Sequence, residues 1–326
     1  MTRKLAERAG MLAIVVLVVS FGTFMMVELV PGDAASHVVG ASAGSGAAST
    51  SAAEDYQRVR RELGLDRPLL TRYVDWAGDA VRGDFGHNLV DPVQDVGAMV
   101  TRALPVNLEL ALLALVLALG ISIPLALWTT AHPRGVLDRL VSAGSFALIS
   151  LPSFLVAVLL LLVFAIHWNV FPVGQWAWPG EQGWLQNLRH AFLPAVTLAL
   201  SETAVFTRLL RRDLAVTLRE DYIAVARAKG MPMRHVMFRE ALRPSSFSLL
   251  TLAGISTGRL IGGSVIVEQV FSLPGLGSVL VTAAHSSDYP VVQAGVLVVA
   301  LIYVTLNLGV DVLYAVLDPR VRRVRH

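Results

Sequence analysis

The chain has 326 residues, 55% of them hydrophobic and only 16% charged, with a formal net charge of +3 and no cysteine. An ordinary soluble domain carries roughly 25% charged residues, so this composition excludes one and points to an integral membrane protein. Disulfides, thiolate catalysis and cysteine-held zinc or iron–sulfur sites are excluded as well, and no nucleic-acid partner is expected.

A span needs roughly 20 apolar residues to cross about 30 Å of hydrocarbon. Six segments qualify, at about 9–30, 104–128, 140–166, 192–210, 247–267 and 290–317, so the predicted fold is all-α with six transmembrane helices. Ahead of the first lies MTRKLAER, a basic stretch like that of a secretory signal. The apolar run that follows exceeds the ~7–15 residues of a cleavable signal, which predicts a retained anchor. Residues 1–30 form this terminus and first span, 31–103 an extracytoplasmic loop, and 104–326 a five-helix core that includes a cytoplasmic loop at 211–245 and a basic cytoplasmic tail.

Within the outer loop, residues 34–53 are a tract of alanine, serine and glycine with little to bury, expected to be flexible. The remainder mixes apolar and aromatic residues at helical spacing, punctuated by Gly64, Pro68, Gly83 and Gly86, as short helices on the outer face would. Pro124 and Pro152 are expected to kink their spans, and Pro194 to sit near the start of its own. The connection EQVFSLPGLG, with Pro274, Gly275 and Gly277, demands a turn that Phe271 and Leu276 can anchor. No internal repeat stands out, so the inverted repeats of many secondary transporters find no support.

Orientation follows lysine and arginine near span ends. Arg3, Lys4 and Arg8, then Arg134 and Arg139, then Arg208, Arg211, Arg212 and the basic residues up to Arg243, and finally RVRRVRH all fall on one side of an even-span topology. The opposite loop around residues 168–190 holds one arginine and four tryptophans, Trp168, Trp176, Trp178 and Trp184, an outer aromatic belt. Both termini are therefore expected in the cytoplasm of a multi-pass cell (plasma or inner) membrane protein.

Between the fourth and fifth spans, DYIAVARAKG reads as a short helix with a designed stop. Asp221 suits the positive end, Ala224, Ala226 and Ala228 favour helix, and Lys229 suits the negative end. Gly230 then supplies a left-handed residue and Pro232 prevents resumption. A second short helix over 233–242, closed by Pro244, is expected next. Ala224 and Ala228 share a face that lets another surface approach, while Tyr222, Val225 and Met237 offer apolar anchors. From physics alone, a helix resting on lipid headgroups fits equally.

DYIAVARAKG followed by HVMFREALRP resembles the EAA loop of ABC-importer permeases, in the variety found in the peptide and nickel group. VELVPGD, LGLDRPLLTRYVDW, GDFGHNL, LPVNLELALLALVLAL, ISLPSF and VEQVFSLPGLG recur in the order of the B-type subunits of dipeptide and oligopeptide importers, so the resemblance covers nearly the whole chain. The tract at 34–53 departs from that pattern. The resemblance implies that Asp221, Tyr222, Ala226, Arg227, Ala228, Lys229 and Gly230 dock as a coupling helix into a separate ATPase. It also implies a second homologous permease, one or two ABC ATPase subunits and an extracytoplasmic substrate-binding protein as partners. No GxxxxGK[ST] string occurs, so ATP and Mg would be bound by the partner ATPase, with no cofactor, metal or catalytic residue in this chain.

Other constellations carry weaker signals. GASAG at 40–44 and GISTG at 254–258 match GxSxG, but the first lies in low complexity and the second inside a span, where small residues permit close packing. Glu109, Glu202 and Arg259 are intramembrane charges, candidates either for structural pairing or for the translocation path. Glu202 has Arg208 or a neighbouring helix as partner, Arg259 an acid of a second permease. Asn107 and Asn307 are expected to hydrogen-bond between helices. The reading is thus a permease for oligopeptides or dipeptides, with nickel or glutathione as alternative cargo and a secondary transporter as a remote alternative. Free nickel would favour His or carboxylate ligands along the path.

Overall fold

The computed structural model of the chain describes residues 2–29, 57, 66–90 and 92–317, where helices dominate and no strand occurs. The tract at 34–53 and the basic tail at 320–326 lie outside the described residues. Two compact units emerge, residues 1–105 with 278–302, and residues 106–277 with 303–326.

In the first unit, helix α1 (Thr2–Leu29) meets helix α2 (Leu69–Val81) through aromatic rings. Tyr73 stands edge-on to Phe21 at 5.2 Å and Phe24 at 5.6 Å, and its hydroxyl lies 2.8 Å from Ser20 Oγ. Such edge-to-face pairs place a ring's positive edge on a neighbour's negative face. After α2 the chain turns at Gly83 and Gly86, both at positive φ. Asn88 then closes the loop by accepting from the Gln94 N–H and donating to the Val90 carbonyl. Asp288 Oδ1 accepts the Leu89 N–H at 3.2 Å, and burial pushes this carboxyl above the usual range against the opposing pull of the Leu89 and Val291 N–H groups.

Among the described residues, three helices are long and apolar enough to cross a membrane: α3 (Val96–Ala131), α6 (Trp184–Thr217) and α12 (Tyr289–Leu317, over 289–310), with a fourth crossing if a bent pair is one span. Helix α3 runs through Pro124 without a break. Pro194 lies in the interior of α6 rather than near its start.

The expected third span is not one straight rod. It breaks into α4 (Val136–Ser150) and α5 (Ser153–Leu160, continued by a wide π turn at Leu161–His167), with 107° between the arms. Leu151 and Pro152 are both extended, at ψ 130 and 139. Proline disfavours helical geometry in the residue before it and cannot donate to the helix behind it, so the two effects together cut the helix.

The fifth segment also departs from expectation. Helix α7 (Asp221–Ala228) and the one-turn α8 (Met233–His235) lead through a π turn at Val236–Ala241 directly into α9 (Leu242–Gly263), and Pro244 does not close a helix but lies in the first turns of α9. The π turn changes the hydrogen-bond register just where the proline lacks its N–H, so the chain continues. Helix α9 stops at Ser264, and α10 (Val265–Val270) and α11 (Leu276–His285) flank the EQVFSLPGLG turn. In the outer loop the four tryptophans divide, Trp176 being buried and Trp168 and Trp184 largely exposed.

Candidate functional site

Helix α7 is built as the sequence predicts and is terminated by two specific bonds. The Gly230 N–H donates to the Arg227 carbonyl at 2.9 Å and the Met231 N–H to the Ala226 carbonyl at 3.3 Å, with Gly230 at φ +75. This pair of bonds around a left-handed residue satisfies carbonyls that would otherwise end the helix unpaired. Asp221 lies in the first turn, Arg227 in the last, and no side chain caps the N-terminus.

Ile223 and Ala226, three residues apart, form the buried stripe, packed on Val236 with Leu218 beside it. The opposite face, with Asp221, Tyr222, Ala224, Val225, Arg227, Ala228 and Lys229, is exposed. Two corrections follow for the expected docking face. Met237 is buried and offers no anchor, whereas Met233 and Phe238 are exposed. Ile223 was missed, although its spacing from Ala226 is the helical period that marks a core-facing stripe.

The base of the segment is tied on both sides. Tyr222 Oη donates to the Glu240 carbonyl at 3.4 Å, and Glu240 is the residue four before Pro244, the one whose carbonyl proline cannot serve. Thr217 Oγ1 lies 2.9 Å from Ser245 Oγ, joining the end of α6 to the start of α9. His235 Nε2 stands 3.9 Å from Glu240 Oε1. The short helix is therefore tied through Tyr222 to the turn that leads into α9, and the start of α9 in turn to the end of α6.

The structure brings Glu202 and Arg259 together. Arg259 Nη2 donates to Glu202 Oε1 at 2.6 Å, and Ser256 Oγ donates to Glu202 Oε2 at 2.8 Å. Arg208, the other partner considered for Glu202, instead lies over the Phe146 ring at 4.5 Å. Glu202 is buried while the Arg259 side chain is 61% exposed, so a fixed carboxylate holds an outward cation. Glu109 is apart from both, accepting from Asn187 Nδ2 at 3.3 Å, with its Oε1 buried and unpaired among the described residues.

The GISTG string is a packing device. A side chain at Gly254 would overlap Val310, and one at Gly258 would come within 2.7 Å of the Tyr303 ring. Ser256, the would-be nucleophile, spends its hydroxyl on Glu202. Ser256→Ala is expected to lower stability by about 1 kcal/mol in a thermal melt and to leave transport intact. Loss of a peptide-cleaving activity in that variant would contradict the packing role.

A second buried cluster escaped the sequence reading. Glu268 is fully buried, and its Oε1 accepts from Asn107 Nδ2 at 2.7 Å and Ser264 Oγ at 2.5 Å. Asn107 also donates to Ser264 Oγ and the Ile261 carbonyl, and its Oδ1 accepts the Leu276 N–H at 2.7 Å. The turn closes over the carboxylate so tightly that a Cβ at Gly275 would stand 2.5 Å from Glu268 Oε2, and one at Gly277 3.0 Å. Asn107 thus bonds between helices as expected, while Asn307 has no side-chain hydrogen bond among the described residues.

Comparison with known proteins gives this geometry a context. Residues 122–323 match the family described as binding-protein-dependent transport system inner membrane component, and residues 1–90 its N-terminal counterpart. The chain is 35% identical to the oligopeptide transport system permease protein AppB of Bacillus subtilis, over 82% of this chain and 85% of that one. It is 30% identical to the dipeptide transport system permease protein DppB of Lactococcus lactis, over 99% of this chain and 100% of that one. It is 34% identical to the glutathione transport system permease protein GsiC of Escherichia coli, over 94% of each. In fold it is similar to a chain of the MetNI methionine ABC transporter, solved in inward-facing conformations, with a TM-score of 0.54 at 18% identity over 68% of this chain and 97% of that chain.

Proposed function

This chain belongs to the family of binding-protein-dependent transport system inner membrane components, the membrane-embedded permease subunits of ABC importers, and on that premise we propose that it forms half of a peptide-conducting pore driven by a separate ATPase. The supporting observation is helix α7, a short helix with a polar exposed face, a two-bond stop at Gly230 and a buried stripe that fixes it to its own subunit.

In this reading Asp221, Tyr222, Arg227, Ala228, Lys229 and Gly230 form the part gripped by the ATPase, while Ala226, expected there too, is buried against Val236 of its own subunit. Closure of the ATPase around ATP and Mg displaces α7, and the ties from Tyr222 to Glu240 and from Thr217 to Ser245 carry that displacement into α9 and α6. A coupling of this kind needs an element whose two states both sites bias. Six spans, both termini in the cytoplasm and the division at 1–30, 31–103 and 104–326 complete the arrangement. A second homologous permease supplies the other half of the pore, one or two ATPase subunits the energy, and an extracytoplasmic binding protein the cargo. The exposed Arg259 guanidinium, held by Glu202, and Glu109 are the charges proposed to face the translocation path.

Peptide cargo rests on the oligopeptide and dipeptide permeases among the relatives. The glutathione permease keeps glutathione, itself a tripeptide with one unusual linkage, as the second reading. Reconstitution of the permease with its partners tests both. Uptake of short peptides is expected to stop when the ATPase is replaced by a hydrolysis-dead variant, and glutathione is expected to compete weakly. Uptake that persists with the dead ATPase would overturn an ATP-driven importer, and glutathione outcompeting other peptides would replace the cargo.

A further inference from the structure

Helix α6 carries Arg208, Arg211, Arg212 and Ala215 on one face, since residues three, four and seven apart align on a helix. Facing them from α4 are Ser142 and Phe146, one turn apart, and the six side chains wall a cavity of about 310 Å³. Each arginine is held differently. Arg211 Nη1 lies 2.5 Å from Asp138 Oδ1 and donates to Ser142 Oγ at 2.9 Å. Arg212 Nε reaches only Asp213, its own chain neighbour, at 3.2 Å, and stays largely exposed. Arg208 lies over the Phe146 ring and has no ion pair among the described residues.

Three guanidinium groups therefore share two carboxylates, and among the described residues one positive charge has no counter-ion at a cavity open to the surface. Next to it the α4 surface is apolar, with Phe146 and Ile149, one turn apart, both exposed. A soluble anion would use the charge and leave the apolar wall unexplained; an acyl chain would use the wall and leave the charge.

We propose that this cavity binds the headgroup phosphate of an anionic phospholipid of the inner leaflet, whose acyl chain lies along the exposed face of α4. Guanidinium groups match phosphate oxygens with two parallel N–H donors, and basic pockets between membrane helices on the cytoplasmic side are suited to such headgroups. The aromatic ring under Arg208 fixes that guanidinium at the interface without neutralising it. The site rests on the cytoplasmic placement of this end of α6 in the reading above.

The test is a native mass-spectrometry titration of the full-length permease with phosphatidylglycerol, phosphatidylcholine or inorganic phosphate. Phosphatidylglycerol is expected to bind roughly tenfold more tightly than phosphatidylcholine. The double substitution Arg208→Gln, Arg212→Gln is expected to abolish that preference. Ala215→Trp, which fills the cavity and leaves every charge in place, should do the same, while Arg239→Gln outside the cavity should not. Equal affinity for the two lipids, or a preference that survives both cavity variants, would overturn the proposal; so would displacement of phosphatidylglycerol by inorganic phosphate at low millimolar concentration, which would indicate a soluble anion. The membrane orientation is read separately. The chain has no cysteine, so Ala215→Cys labelled by an impermeant thiol reagent reports its side alone, and labelling from outside would overturn the orientation without touching the lipid titration.

Discussion

Gly230→Val is expected to leave the permease in the membrane but to cut ATPase co-purification and substrate-stimulated ATP hydrolysis by about tenfold, an interaction loss of about 1.4 kcal/mol. The cause is backbone geometry. Gly230 has φ +75, and the space where a Cβ would project holds no atom within 4 Å. No clash opposes the side chain, so the cost is the left-handed conformation itself, roughly 1–2 kcal/mol for an L-residue and more when the side chain is β-branched. An eight-residue helix with no side-chain N-cap has little reserve against that strain. Relief would come from releasing the bonds to Arg227 and Ala226, which unwinds the turn carrying Arg227, Ala228 and Lys229. The predicted order of damage is Asn, then Ala, then Val, because asparagine tolerates this region best. Normal co-purification and hydrolysis in the valine variant would rule out Gly230 as the structural stop of a docking helix.

Glu268→Ala is expected to have the larger effect on folding, lowering stability by about 3–5 kcal/mol and reducing the amount of folded permease. The substitution removes the charged acceptor that Asn107 and Ser264 share in a fully buried position, leaves both donors to crowd on the longer bonds to the Ile261 carbonyl, and opens a void under the EQVFSLPGLG turn. Thermal unfolding in detergent measures it. The same melts on Asn107→Ala and the double variant should show strong non-additivity, since the residues share one network. Additive losses would mean that the two act through separate contacts.

The local chemistry of residues 221–232 was legible in the sequence because every signal lies within a dozen residues. Asp221, the alanines, Gly230 and Pro232 each act through backbone rules that need no tertiary information. GISTG was likewise readable as packing, and Gly254 and Gly258 are filled by Val310 and Tyr303. What stayed hidden depends on partners far along the chain. Glu202 meets Arg259 across 57 residues and Glu268 meets Asn107 across 161, and no periodicity encodes such pairs. Pro244 misled for another reason. A proline usually ends a helix, but the π turn before it and the Tyr222 hydroxyl on the Glu240 carbonyl absorb its missing donor. The six apolar segments counted in the sequence exceed the three or four helices among the described residues that are long and apolar enough to cross, in part because α9 interrupts its apolar residues with Ser245, Ser256 and Arg259.

The break at Leu151 and Pro152 has a consequence for how the subunit can live in a bilayer. It divides two arms of equal length, Val136–Ser150 and Ser153–His167, each about 22 Å long at 1.5 Å per residue, so neither arm spans the hydrocarbon core by itself. At the corner the Leu151 N–H reaches the Ala147 carbonyl and the Leu155 and Val156 N–H groups reach the Pro152 carbonyl, but a helix end leaves further carbonyls and amides without intrahelical partners, and lipid tails cannot solvate those. Ile149, Leu151 and Phe154 stand exposed around that corner. A solitary copy immersed in lipid would present a polar notch inside an apolar rim, a surface stable only against protein or trapped water. Within hydrocarbon such a corner is tolerated only where protein or a water-filled cavity meets its polar groups, a demand of membrane solvation that is independent of any need for a complete transport path.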